Sequence, residues 1–493
     1  MLKVFLIGHD YEYEVKELLK LFYDADALII YSNDHHVDLE TENLSEDIII
    51  NKLIKNRNET TIITEAYISG EKNKTIKTVV IDGNLHDVKR KTKQLIKSAF
   101  FRLLIKYNKV YLPWGFLTGI RPTKIVHELL NEGKSQEEIT YILTKDYYIS
   151  KAKAQLLLEV ANIEHKYVYP IDEKKVSIYI SIPFCPTRCS YCSFPSNPLD
   201  RFHTYIEDYI EAICKEIKGT SEILNRKGKE IETVYIGGGT PTTLNTRQFQ
   251  KLFDVLVDSF DMSKLKEFTV EAGRPDTVDT EKLIFLKKSG VTRISINPQT
   301  MNDCTLKKIG RNHSVIETVE AYQLARKIGF DHINMDVIIG LPDENIDMIH
   351  NTMKAIKKLL PSNLTVHTLA IKNASRLKEQ QYSTDKKNSE IVKMLEITEN
   401  YARDMGLKPY YMYRQKHMVE NLENIGYAKP GYECIYNIQI MEEKQTIIAM
   451  GAGAVSKIVF PKENRLERVP NIKNLELYIE RVDEMIERKK KHL

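Results

Sequence analysis

The chain has 493 residues, 42% hydrophobic and 28% charged, so it is too long for one ordinary domain and apolar enough for a sizeable core. Lys and Arg number 72 against 68 Asp and Glu, a formal net charge of +4, so composition does not point to nucleic acid as a partner. No apolar run approaches the ~20 residues of a membrane span, and no basic region or cleavage site of a secretory signal precedes Gly8, so the expected compartment is the cytoplasm.

Residues 1–170 read as an α/β accessory domain. Leu2–Ile7, Ala27–Tyr31, Thr61–Tyr67 and Lys77–Ile81 look like strands. Glu14–Tyr23 and Val88–Tyr107 have apolar residues at helical spacing. Leu112–Lys124 holds the only tryptophan, Trp114, and its glycines and prolines mark an ordered turn before a helix over Lys124–Asn131. It is either a packing loop or a lid over a neighbouring site. Glu137–Glu164 reads as two helices around Tyr147–Ser150; without a basic recognition face they are packing elements.

After a charged linker at Asp172–Lys175 the texture changes. Apolar runs at Ser177–Ile182, Thr233–Ile236, Glu267–Glu271, Arg293–Asn297, His332–Ile339 and Asn363–Ile371 alternate with helical patterns near Tyr205–Ile223, Thr246–Ser259, Thr280–Lys288, Val315–Ile328 and Asn345–Leu359. Such alternation predicts a parallel sheet with helices outside, six units of an incomplete barrel over residues 171–377. Functional residues then belong at the C-terminal ends of the strands. Residues 378–493 form a third region, an α+β cap. It has a helix over Ser389–Met405, a tyrosine-rich segment at Tyr410–Arg414, a strand at Thr446–Met450 and a last helix, Asn474–Lys491. The basic run Arg488–Lys491 reads as a solvated complement to the helix dipole.

Six cysteines in this length exclude a disulfide scaffold. Cys214, Cys304 and Cys434 are isolated, but Cys185, Cys189 and Cys192 lie in one loop after the first barrel strand. Three thiolates this close suit one soft metal centre. Zinc takes four ligands in paired spacings, and no second pair is near. A [4Fe–4S] cluster takes one cysteine per iron, so three cysteines leave one iron open. A zinc or reactive-thiol loop is the alternative.

This CxxxCxxC run, with Tyr191 before its last cysteine, resembles the signature of the radical S-adenosylmethionine (SAM) superfamily. The resemblance implies a [4Fe–4S] cluster on Cys185, Cys189 and Cys192, with SAM chelating the open iron and yielding a 5′-deoxyadenosyl radical on one-electron cleavage. Gly237–Thr242, after the second strand, resembles the loop that takes the SAM amino group. Glu271 and Arg311 suit the amino-acid part of SAM, and Gln299 and Asp336 the ribose hydroxyls. Tyr179–Cys185 (YISIPFC) resembles the opening of the oxygen-independent coproporphyrinogen III oxidase family. Leu112–Lys124 and His367–Lys372 resemble its HemZ-type subgroup, over nearly the whole chain.

Carried over by position, the resemblance makes Tyr179, Tyr191, Gly238, Gly239, Thr240, Glu271, Gln299, Arg311, Asp336 and Ala370 SAM contacts, with Tyr179 also the candidate catalytic residue. It implies oxidative decarboxylation of two coproporphyrinogen III propionates to vinyls, with electrons from a low-potential donor such as flavodoxin or ferredoxin. Candidate cations for the substrate carboxylates are Arg274, Lys372, Arg414 and Lys416, and Tyr410, Tyr411 and Tyr413 either line a tetrapyrrole pocket or pack in the core. Two positions depart from the family pattern. Ser181 stands where the family has histidine, and Phe194 where the oxidases have a fourth cysteine. The second departure is shared with the haem-chaperone branch, so haem binding, or radical chemistry on another tetrapyrrole, is the alternative function.

Overall fold

The computed structural model describes the chain apart from residues 33–46, 57–58, 81–84, 109, 111, 120, 195, 371–387 and 415–421. Ile81, Ile120, Ile371, Lys372, Lys416 and the expected boundary at 377/378 therefore lie outside the described residues. Two compact units divide the chain, Met1–Pro122 with Glu128–Leu158, and Thr123–His127 with Glu159–Leu493.

The smaller unit is built on five strands: β1 (Leu2–Ile7), β2 (Leu28–Ser32), β3 (Asp47–Asn56), β4 (Glu59–Ile68) and β5 (Glu71–Val80), in the order β2-β1-β3-β4-β5. β1 runs parallel to both neighbours, and the β3–β4–β5 meander is antiparallel. β3 was not anticipated, because Ile48-Ile49-Ile50 shows no alternation; pairing on both sides makes it a central strand. Val4, Ile49, Ile62 and Ala66 pack against Ile96, Phe100 and Leu104 of the helix Leu85–Tyr107. The Trp114 loop belongs to this unit's interior. Trp114 and Phe116 are buried, and Phe116 packs at edge-on and tilted angles against Phe101, Tyr147 and Tyr148. A Cβ on Gly115 would lie 2.0 Å from the Tyr147 carbonyl, so no side chain fits there.

The larger unit is organised around one eleven-stranded sheet. Its centre is β6 (Lys175–Ile182), β9 (Glu230–Gly238), β10 (Glu267–Glu271), β11 (Arg293–Ser295), β12 (His332–Ile339) and β13 (Asn363–Thr368), adjacent in chain order and all parallel. These are the six βα units of a partial barrel. The strands are buried on both faces, as the continuous apolar runs require. β7 (Phe184–Cys185) and β8 (Asn197–Pro198) pair with each other and close the cysteine loop. The C-terminal region extends the same sheet at both edges. β14 (Lys408–Tyr413) and β15 (Asn424–Ala428) add antiparallel beside β13, while β16 (Thr446–Met450) adds parallel to β6 and is followed by the hairpin β17 (Val455–Phe460) and β18 (Arg465–Pro470).

Helix limits follow their caps. Asn245 and Ser314 form capping boxes with Gln248 and Glu317, and Asp279 caps the helix Thr280–Lys288. The last helix departs from expectation, breaking at Arg481 into Leu475–Glu480 and Val482–His492. Tyr478 Oη and Lys489 Nζ each lie 2.6 Å from a carboxylate oxygen of Glu216. In one straight helix those residues would be ~16 Å apart along the axis, so they meet at one carboxylate only because the helix bends. Lys489 is therefore wholly buried, not part of a solvated basic run.

Candidate functional site

The cysteine loop leaves the C-terminal end of β6 and is held at several points. Gly239 N donates to Ile182 O at 2.8 Å and Thr240 N to Phe184 O at 2.7 Å, which binds the glycine loop to the strand entering Cys185. Ser190 N donates to Ile309 O and Thr187 Oγ1 to Gly310 O, each at 3.0 Å, which docks the other side onto the segment before Arg311. A Cβ on Gly239 would meet Phe184 O at 2.5 Å and Cys185 Sγ at 3.0 Å, and Gly238 has φ +108. Only glycine allows this approach. Cys185, Cys189 and Cys192 are not in disulfides.

Beside this loop opens a cavity of about 610 Å³. Cys185, Cys189 and Cys192 line it, with Tyr179, Tyr191, Gly238, Gly239 and Thr240. So do Glu271, Gln299, Arg311, Asp336 and Ala370, so the residues expected to hold the cluster and SAM all line one cavity. The strand period explains the convergence. Tyr179 and Ser181 on β6, Asn334, Asp336 and Ile338 on β12, and Thr365 and His367 on β13 are two apart and share one face.

Polar contacts fix the wall. Tyr235 Oη donates to Glu271 Oε1 at 2.5 Å. Burial, opposed by the Tyr235 hydrogen bond and helped by the nearby Asp336 charge, brings the Glu271 carboxyl up to about 7. Asn334 Nδ2 donates to Asp336 Oδ1 at 2.7 Å, and His367 Nε2 is 3.8 Å from Asp336 Oδ2. Gln299 has φ +67, held by Gln299 N to Asp336 O and Ile338 N to Gln299 O. Arg311 donates to the carbonyls of Asn297, Pro298 and Gly273.

Tyr411 and Tyr413 line the cavity with near-parallel rings, while Tyr410 does not line it and packs in the core, its ring 4.8 Å from that of Tyr411 beside the register shift at Pro409. Tyr436 lies 4.3 Å from Tyr235 and 6.0 Å from Tyr179, ring centre to ring centre. Arg274 lines the cavity but is committed: both its Nε and Nη2 bond the Asp276 carboxylate, and Nη1 bonds Thr187 Oγ1 at 3.2 Å. Arg414 is buried outside the cavity lining, where burial brings its guanidinium down to about 10. The remaining cysteines lie apart from the loop. Cys434 Sγ donates to Glu267 Oε1, Cys214 is buried on a helix and Cys304 is exposed.

A sequence model of the radical SAM superfamily matches residues 179–356. The chain is 38% identical, over 91% of its length and 90% of the relative's, to the oxygen-independent coproporphyrinogen-III oxidase-like protein HemZ of Bacillus subtilis (strain 168). The chain belongs to the radical SAM superfamily, in the HemZ-type family. This radical SAM protein is also 32% identical to the haem chaperone HemW of Bacillus subtilis (strain 168), over 56% of the chain and 70% of the relative. Its fold matches the coproporphyrinogen III oxidase HemN of Escherichia coli with a TM-score of 0.52 at 23% identity, covering 66% of this chain and 73% of that one.

Radical SAM proteins use a [4Fe–4S] cluster and SAM. The donor set here fits both groups. Three cysteines outside any disulfide line one cavity beside a glycine cradle with no room for side chains. Ser295 Oγ, Asn297 Oδ1, Gln299 Oε1 and Arg311 Nε line or adjoin the same cavity, are buried and make no hydrogen bond. Buried polar atoms are rarely left so, and a polar ligand such as SAM satisfies them. Sequence reading overlooked Ser295, Asn297, Asn334, His367, Tyr436 and Lys457 as wall residues. For Asn334 the signal was there, two positions from Asp336 on the same strand. Tyr436 and Lys457 come from elements with no local link to the barrel pattern. No described helix is long and apolar enough to cross a membrane.

Proposed function

We propose that this protein oxidatively decarboxylates two propionates of coproporphyrinogen III to vinyls, giving protoporphyrinogen IX. The observation that carries the reading is the meeting of the cysteine loop, the unsatisfied polar atoms and a tyrosine wall in one cavity. When bound, the cluster and SAM supply a low-potential electron and a hydrogen-abstracting radical. Cys185, Cys189 and Cys192 would hold the cluster, with Thr240 Oγ1 donating to Cys185 Sγ at 3.6 Å. Glu271, held by Tyr235, would take the SAM ammonium, and Asp336 and Gln299 the ribose hydroxyls. Arg311 would face the carboxylate with Nε, and Tyr179, Tyr191, Gly238, Gly239 and Ala370 would complete that subsite. Tyr411, Tyr413 and Tyr436 would exclude water around the substrate rings. Each propionate loses one β-hydrogen atom, CO2 and one electron, leaving the vinyl.

Electrons would reach the site from a low-potential partner such as flavodoxin or ferredoxin, since the isolated cysteines offer no second cluster. The expected three-part division at residues 170/171 and 377/378 would give an accessory domain, the barrel and a substrate-side region. A second reading, a haem-binding delivery protein, is favoured by Phe194. It stands at the cavity where the oxidases have a fourth cysteine, and the HemW relative is named a haem chaperone.

Anaerobic reconstitution with SAM, a reductant and coproporphyrinogen III tests both. Protoporphyrinogen IX and CO2 are expected. SAM cleavage with no tetrapyrrole product overturns the decarboxylase reading, and stoichiometric haem transfer to an acceptor supports the second.

A further inference from the structure

The larger unit holds a second group of ligating side chains, away from the cysteine loop. His127, Glu164 and Glu442 are 2%, 0% and 1% exposed. They come from the middle of the helix Thr123–Asn131, from the helix Lys151–Val168 and from the end of the helix Ile435–Glu442. None lines the cavity described above.

His127 Nε2 lies 3.0 Å from Glu164 Oε2 and 3.5 Å from Glu442 Oε2. One ligand atom from each residue lies within 4.8 Å of the others. Metal–ligand bonds of about 2.1 Å put neighbouring donors ~3.0 Å apart around an octahedral ion and ~3.4 Å apart around a tetrahedral one. The two edges from His127, 3.0 and 3.5 Å, are close to that range, the shorter being a hydrogen bond in the absence of an ion.

Two atoms of the group have no hydrogen-bond partner, Glu164 Oε1 and His127 Nδ1, though both are buried. Among the described residues the ion-pair partner of Glu164 is His127 alone. Two carboxyl groups meet here at a depth where an unpaired charge is costly, and a cation held between them would pair with both. Thr123 Oγ1 donates to Glu442 Oε1 at 2.7 Å and so orients that carboxylate from outside, the kind of contact that fixes a ligand.

We propose that His127, Glu164 and Glu442 form a structural site for one divalent first-row metal ion, zinc by its donor set. Imidazole nitrogen with carboxylate oxygens suits zinc, the unpartnered Glu164 Oε1 supplies the fourth donor, and burial of all three residues gives the ion a structural task. The ion joins three segments far apart in the chain and pairs with both carboxylates.

The test uses the full-length chain with its iron loaded, so that the cysteines are taken, dialysed first against micromolar zinc chloride and then against metal-free buffer. Plasma mass spectrometry should find one zinc per chain beyond the cluster iron. Anomalous diffraction at the zinc edge should place it between His127, Glu164 and Glu442. Glu164→Gln should abolish zinc uptake and leave the iron content unchanged. Thr123→Val keeps all three ligands and should weaken zinc binding about tenfold. If Glu164→Gln fails to fold, Thr123→Val and the wild-type map decide. A wild-type chain that retains no zinc and melts at the same temperature with and without it overturns the proposal, since the triad then shares a proton. An anomalous peak at the cysteines alone overturns it too.

Discussion

Lys489 Nζ lies 2.6 Å from Glu216 Oε1, and neither side chain has any exposure. Glu216 also accepts from Gly451 N at 2.8 Å, Asn471 Nδ2 at 2.7 Å and Tyr478 Oη at 2.6 Å. Tyr209 Oη in turn donates to Ser181 O at 2.5 Å and accepts from Ala452 N at 3.2 Å. The C-terminal helix is thereby tied to the end of β6 and to the glycine turn beside the cavity.

Lys489→Met should therefore destabilise the chain strongly, because it leaves Glu216 charged and buried. The expected cost is about 3–5 kcal/mol, and the double variant Glu216→Gln/Lys489→Met should recover much of it. Thermal midpoints of the three proteins check this. Equal midpoints for single and double variants would show that the pair itself carries little.

Glu271 predicts a pH dependence for SAM binding. In the free protein its carboxyl, raised by burial to about 7, is largely protonated below that pH. An ammonium partner favours the carboxylate, so binding releases a proton. Affinity should rise as pH approaches 7, by at most about tenfold per pH unit, and level off above it. Glu271→Gln should remove the slope. Tyr235→Phe removes the hydrogen bond that opposes the shift, so it should move the plateau to higher pH. Calorimetric titrations at several pH values measure all three.

Gly239→Ala should block cluster assembly. Its new methyl group would meet two carbonyl oxygens, Phe184 O at 2.5 Å and Ile182 O at 3.0 Å, and backbone cannot step aside cheaply. Overpacking of this kind costs about 1–3 kcal/mol. Iron content after reconstitution should fall well below that of the parent chain. Gly119→Ala, where nothing lies within 4 Å, is the control and should leave iron content unchanged.

Cys189→Ala should lose the cluster and all SAM cleavage, while Cys304→Ser, exposed and away from the loop, should keep both. Visible absorbance and 5′-deoxyadenosine release separate the two outcomes. Retention of cleavage by Cys189→Ala would reject the three-cysteine assignment.

Local chemistry is legible in a sequence because neighbours in the chain carry it. The CxxxCxxC loop, the glycine triplet at the end of β9 and the helices Thr246–Ser259, Thr280–Lys288 and Val315–Ile328 were readable for that reason, since spacing and capping residues lie within a few positions of one another. The convergence of Glu271, Gln299, Arg311 and Asp336 was readable at one remove, because parallel βα units place strand ends together. The folded chain alone decided the rest. Lys489 reads as a surface lysine until the bend at Arg481 turns it onto Glu216, and Tyr436 and Lys457 reach the wall from elements far along the chain. His127, Glu164 and Glu442 share no spacing at all. Their pairing depends on long-range burial, where desolvation makes a charge seek a partner wherever packing supplies one, and no local period records that choice.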